Sequence, residues 1–130
     1  MSSSPLNGNP VIVVADDELD ILSLVSYRLR KAGYEVLAAR DGEEALQLIC
    51  DCSPDIVLLD VKMPKLTGID VLKRVRTNEA VRDVPVILLS AGVEEEPIAR
   101  GFEAGADEYV RKPFRPEELI ERVRDVLARP

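Results

Sequence analysis

Five short apolar runs, separated by segments whose apolar residues recur at helical spacing, constrain this chain more than any other feature. The runs are Val11 to Ala15, Glu35 to Ala38, Asp55 to Leu59, Val84 to Leu89 and, shorter, Glu108 to Val110. Between them, Leu22, Val25 and Leu29 stand three and four apart, as do Ile69, Leu72 and Val75, and Leu119, Val123 and Val126. Strands that alternate with helices predict a parallel sheet, because parallel neighbours need a crossover that a helix supplies. The stretches VIVVA, DIVLL and VPVILL are apolar nearly throughout, as strands covered on both faces are. The expectation is therefore an α/β domain, (βα)5 and doubly wound, with a five-stranded parallel sheet and helices on both faces. Gly33 and Gly105 stand where helix C-caps are expected, and Pro116 suits the first turn of the last helix. Two of the helices look weak. Pro97 and Gly101 fall in the fourth helix and should keep it short and easily remodelled, and Arg115 precedes Pro116 where a capping Asp or Ser would serve better.

With 130 residues the chain forms one domain and buries roughly two thirds of the surface its unfolded form exposes, so it needs no staples. The boundaries read as a flexible leader over 1–9, MSSSPLNGN, and a folded domain over 10–129. The leader has neither a basic start nor an apolar segment, and no apolar run approaches the ~20 residues of a membrane span, so a soluble cytoplasmic protein is expected. Cys50 and Cys52 are too close for the usual zinc or redox spacings and read as reduced thiols at a helix end. A net charge of −7 argues against direct nucleic-acid binding by this domain, which would need clustered Lys and Arg. The absence of histidine excludes His-based catalysis, the usual zinc sites and a phosphohistidine on this chain.

In open parallel sheets ligands bind beyond the carboxyl ends of the strands. Here the first run ends in Asp16 and Asp17, the third in Asp60 and the fourth in Ser90, while the fifth is followed by Lys112 and Pro113. Each residue alone has an ordinary explanation: Asp17 could cap the first helix, Ser90 a turn, and Lys112 could be a solvated lysine. Their arrival at the ends of four different strands is not ordinary. Three adjacent carboxylates repel one another unless a hard divalent cation with oxygen ligands, most simply Mg²⁺, offsets the charge. Such a cation makes it possible for an anionic phosphoryl group to approach Asp60, with Lys112 and Ser90 as charge and hydrogen-bond partners.

The motifs VVADDE, IVLLD followed by MPKLTG, LLSAG, GADEYV and KPF, in this order, resemble the receiver domain of two-component response regulators from about Val11 to Leu127. The spacing agrees as well, with Ser90 thirty residues after Asp60 and Lys112 twenty-two after Ser90. The resemblance implies a flavodoxin-like (CheY-like) strand order of 2-1-3-4-5. It makes Asp60 the phosphoacceptor, Asp17 a direct metal ligand, Asp16 a ligand acting largely through water, and the carbonyl of Lys62 a third protein contact to Mg²⁺. Ser90 and Lys112 become the phosphoryl-binding pair, Ala91 leaves access, Lys112–Pro113 is expected to be cis, and Tyr109 is the aromatic that turns inward as Ser90 moves. Lys62 and Gly92 would flank the route of an attacking water, with slow self-dephosphorylation as the consequence.

The same resemblance implies a signalling domain rather than an enzyme, phosphorylated by a sensor histidine kinase or a phosphotransfer protein. The segment EEEPIARGFEAGADEYVRKPFRPEELIERVR is similar in its charges to the dimer face of the OmpR/PhoB-type winged-helix transcription regulators. Arg100, Asp107, Glu108, Glu118 and Arg122 would form a self-complementary patch on the fourth helix, fifth strand and fifth helix, used by a homodimer on phosphorylation to control transcription. A flavin module is excluded because Asp16 and Asp17 would repel its phosphate, and an aspartyl phosphatase because its nucleophile belongs after the first strand in a D-x-D pattern. A phosphorylation-independent pseudo-receiver and a stand-alone phosphorelay shuttle remain as alternatives.

Overall fold

A computed structural model of the chain describes residues 8–91 and 95–129. Its elements run β1 (Val11–Ala15), α1 (Leu19–Lys31), β2 (Glu35–Ala39), α2 (Gly42–Cys52), β3 (Ile56–Asp60), α3 (Gly68–Arg76), β4 (Val86–Ser90), α4 (Glu95–Glu103), β5 (Glu108–Arg111) and α5 (Pro116–Ala128). All strand pairs are parallel, and the sheet order is β2-β1-β3-β4-β5. The expected (βα)5 architecture and strand order are what the chain adopts.

The pleat sorts the core into two halves, since alternate residues of a strand face opposite sides. Val13, Ala15, Val57, Leu59, Val86 and Leu88 pack with α2 and α3, through Ala45, Ile49, Val71, Leu72 and Val75. Ile12, Val14, Ile56, Leu58, Ile87 and Leu89 pack with α1 and α5, through Leu22, Val25, Leu29, Leu119, Val123 and Val126. The three central strands are fully buried along their lengths, as their apolar runs require.

The strand limits differ from the sequence reading by a residue or two, for local reasons. Pairing of β4 begins at Val86, not Val84, because Pro85 has no N–H and the carbonyl of Val84 is taken by Arg76 Nη1 at 2.6 Å. Asp55 stands just before β3 and ties it to β1: its carboxylate accepts the N–H of Val11 at 2.7 Å, and its own N–H donates to the Val11 carbonyl at 2.8 Å. Gly33 and Gly105 are left-handed, with φ of +102° and +105°, and follow α1 and α4 as C-cap glycines do. Pro97 stands in the first turn of α4, whose nine residues match α3 in length. Pro116 opens α5 behind Arg115, which makes no side-chain cap. Cys50 and Cys52 end α2 as free thiols. Among the described residues no helix is long and apolar enough to cross a membrane. Most of the expected leader, residues 1–7, and Gly92 lie outside the described residues.

Candidate functional site

The carboxyl edge of the sheet gathers the residues that end the runs. Asp60, the last residue of β3, shares the pleat face of Ile56 and Leu58 and is 4% exposed. Asp16 follows β1 and is fully buried, while Asp17 beside it is exposed. One carboxylate oxygen from each of Asp16, Asp17 and Asp60 lies within 4.8 Å of the others. Asp16 Oδ1 accepts the N–H of Glu18 at 2.9 Å, and Glu18, the N-cap residue of α1, makes no side-chain cap of its own.

Lys112 reaches back from β5 with its side chain only 8% exposed. Its Nζ stands 2.8 Å from Asp16 Oδ2, 3.1 Å from Glu18 Oε1 and 3.4 Å from Asp60 Oδ2. The peptide between Lys112 and Pro113 is cis, as expected. Ser90 is buried at the end of β4, next to Asp60 on β3 in a sheet where Asp60 pairs with Leu89. Asp17, Glu18, Asp60, Lys62, Ser90, Ala91 and Lys112 line a cleft of about 200 Å³ that opens on solvent.

Burial and the neighbouring Asp16 carboxylate push Asp60 up from 3.8 to about 7, against the pull of the Lys112 ammonium. For Lys112, burial disfavours the ammonium, but its hydrogen bond to Asp16 and the charge of Asp60 outweigh that and hold it above the usual lysine value. The site therefore carries more negative charge than the Lys112 ammonium neutralises. Apart from that ion pair, the buried Asp16 Oδ2 has no hydrogen-bonding partner. A concentrated, under-neutralised set of hard oxygen donors fits a divalent cation of the Mg²⁺ type.

The glycine after MPKLT is a packing requirement. A Cβ on Gly68 would overlap the carbonyl oxygen of Asp60, so α3 can start against the acceptor's own backbone only without a side chain there. Thr67 caps that helix in a reciprocal box with Asp70.

Tyr109 is half-buried on β5, with its hydroxyl buried and unpaired and its ring 6.4 Å from that of Phe102. Three charges of the expected dimer patch, Glu108, Arg122 and Asp107, are paired within the chain. Glu108 pairs with Arg122 at 3.2 Å and with Arg129 at 3.0 Å. Asp107 differs from the expectation of an outward contact: its Oδ2 takes Arg76 Nη2 at 3.0 Å and the N–H of Val86 at 2.8 Å, tying the turn after α4 to α3 and β4. Arg100 and Glu118 are exposed on α4 and α5. Sequence reasoning missed Glu18 as a partner of Lys112, and Arg76 and Arg129 as partners of the acids at the start of β5. The third acid of DDEL was a signal for Glu18, whereas nothing local marks Arg76.

Comparison with known proteins identifies the family. The family model of the response regulator receiver domain matches residues 12–124. The chain is 44% identical over 121 residues to the alkaline phosphatase synthesis transcriptional regulatory protein PhoP of Bacillus subtilis, covering 93% of this chain and 50% of that protein. It is 41% identical over 118 residues to the phosphate regulon transcriptional regulatory protein PhoB of Pseudomonas aeruginosa, covering 91% and 52%. The chain thus spans about half the length of these relatives. Among solved structures, the receiver domain of the Francisella response regulator 1452 superposes with a TM-score of 0.84 at 38% identity, covering 92% of this chain and 97% of that one. The chemotaxis protein CheY4 of Vibrio cholerae does so with a TM-score of 0.86 at 34% identity, covering 91% and 98%.

Proposed function

The chain belongs to the response regulator receiver domain family, and from that premise we propose that Asp60 accepts a phosphoryl group from a histidine kinase or phosphotransfer protein in a Mg²⁺-dependent reaction. The observation that carries the reading is the placement of a buried carboxylate 3.4 Å from a buried ammonium, beside two further acids and in a cleft open to a donor.

Asp16, Asp17, Asp60 and the carbonyl of Lys62 would hold the cation. When bound, Mg²⁺ supplies charge neutralisation at the acceptor and at the phosphoryl oxygens. An Asp60 carboxylate oxygen forms its bond to phosphorus as the P–N bond of a phosphohistidine, or the P–O bond of acetyl phosphate, breaks. Imidazole leaves with a proton taken from water, or acetate leaves as the anion. Lys112 turns its ammonium from Asp16 and Glu18 towards the arriving phosphoryl oxygens, and the Ser90 hydroxyl donates to one of them. Water later attacks phosphorus and returns inorganic phosphate and free Asp60.

Withdrawal of Ser90 towards the phosphoryl group would open space at the end of β4, into which Tyr109 on the paired strand β5 moves. The Tyr109 hydroxyl is already buried, so the switch is a repositioning of the ring end rather than a swing from solvent. It reshapes α4 and favours a two-fold dimer through α4, β5 and α5, in which Glu108, Glu118, Arg100 and Arg122 exchange partners between copies. The names of the relatives support transcription as the output, through a domain or partner beyond the receiver fold. Intact mass after incubation with Mg²⁺ and acetyl phosphate tests the acceptor. One added phosphoryl group is expected, abolished in Asp60→Asn and by EDTA; labelling of Asp60→Asn to the parent's extent would refute the assignment.

A further inference from the structure

The loop over 61–67, between β3 and α3, carries Lys62, and its height over the sheet edge is set at a place the cleft does not include. Gly42, the first residue of α2, is buried beneath it. A Cβ on Gly42 would overlap the carbonyl oxygen of Leu66 and stand 2.5 Å from Leu66 Cβ and 2.7 Å from its carbonyl carbon. The backbone conformation of Gly42 is one any residue adopts, so space alone requires glycine here.

Other contacts fix the same segment at the same point. The N–H of Gly42 points at the carbonyl of Pro64 at 3.4 Å. Lys65, left-handed at φ +71°, brings its Nζ to 3.6 Å from Asp41 and 3.7 Å from Glu43. Met63 is buried in the half of the core that holds Ala45 and Ile49 of α2, and Leu66 packs against it. Behind the loop, the N–H of Val61 is bonded to Leu89 and that of Gly68 to Val61, so the segment cannot absorb a push by sliding along β3.

We propose that Gly42 is a positioning residue for the phosphorylation site: the missing side chain at the start of α2 lets the 61–67 loop seat low enough to place the Lys62 carbonyl beside Asp60. This rests on the reading that the Lys62 carbonyl contacts the metal. Interiors are close-packed, so a methyl group wedged under Leu66 displaces the loop by a substantial part of an ångström, and misplacement on that scale is costly at a site that holds its groups in fixed geometry.

The test is calorimetric titration of the full chain with Mg²⁺, in the parent, Gly42→Ala, Leu66→Gly, Asp17→Asn and Val126→Ala. Gly42→Ala fills the seat, and Leu66→Gly removes the side chain that walls it, at a half-buried position outside the helices, while the Leu66 carbonyl stays. Both are expected to weaken Mg²⁺ binding at least fivefold. Val126→Ala, a buried deletion on α5 far from the loop, should leave the affinity within twofold. Parent-like affinity in Leu66→Gly and in any folded Gly42→Ala would overturn the proposal, as would an equal loss in Val126→Ala, which would mean that loosening anywhere has the same effect. A parent that binds no Mg²⁺, or an Asp17→Asn that binds it as tightly as the parent, would instead overturn the metal reading itself.

Discussion

Removing the acceptor's charge should stabilise the metal-free protein, although it destroys the proposed function. Asp60 holds its proton until about pH 7 in the folded chain, against 3.8 for an unperturbed aspartate, because it is buried beside Asp16. Between those values the folded state binds the extra proton, so stability falls as pH rises and the loss is complete above about pH 7. At 1.36 kcal/mol per tenfold change in proton affinity the full penalty is about 4 kcal/mol, and relaxation of the site with water entry should reduce it to about 2 kcal/mol. Asp60→Asn keeps the shape and abolishes the penalty, while Lys112 retains Asp16 and Glu18 as partners. Urea denaturation in EDTA should therefore find Asp60→Asn more stable than the parent by about 2 kcal/mol at pH 8, with the gap shrinking by half or more at pH 5. Saturating Mg²⁺ should narrow the gap at pH 8 by stabilising the parent more than the variant, which lacks the acceptor carboxylate, each by RT ln(1 + [Mg²⁺]/Kd). A variant no more stable than the parent at pH 8, or a gap independent of pH, would show that the carboxylates are not in conflict.

Lys62 lines the cleft beside Asp60, and on the proposed reading its side chain would stand in the route of an attacking water. Lys62→Asn should shorten the lifetime of the phosphoprotein severalfold, followed by loss of the added mass after the donor is removed; an unchanged decay rate would place the water's route elsewhere. Arg122 lies on the proposed output face and is paired with Glu108 within the chain. Sedimentation with Mg²⁺ and beryllofluoride should show dimer formation at high concentration in the parent and its loss in Arg122→Glu, which sets a glutamate against Glu108; a dimer indifferent to the substitution would rule out this interface.

The fold was legible because the strands that position the site are buried on both faces. Such strands have no polar side to interrupt them, so VIVVA and DIVLL stand out as continuous runs, and the acids that end them mark the carboxyl edge without further information. What escaped the sequence reading were the strand limits set by residues distant in the chain. Nothing local to VPVILL says that an arginine eight residues before Val84 will take its carbonyl and delay the ladder to Val86.

The same division explains the site. Asp16, Asp60, Ser90 and Lys112 were identifiable because each terminates or follows a strand, and strand ends converge by topology alone. Gly42 and Gly68 act through close approach, which a sequence shows only as a small residue at the beginning of a helix, a place where glycine has several ordinary reasons to be. Yet these two glycines let α2 and α3 press against the segment that runs from Asp60 to Leu66, so the acceptor and the adjoining carbonyl are held from beneath by helices that contribute no charge to the cleft. The chemistry is thus assigned by residues whose charges are conspicuous, and its geometry by residues whose only property is the absence of a side chain. It follows that a search for inactive variants confined to the cleft would miss the second group, and that substitutions at Gly42 should separate metal affinity from the charge inventory, which they leave untouched.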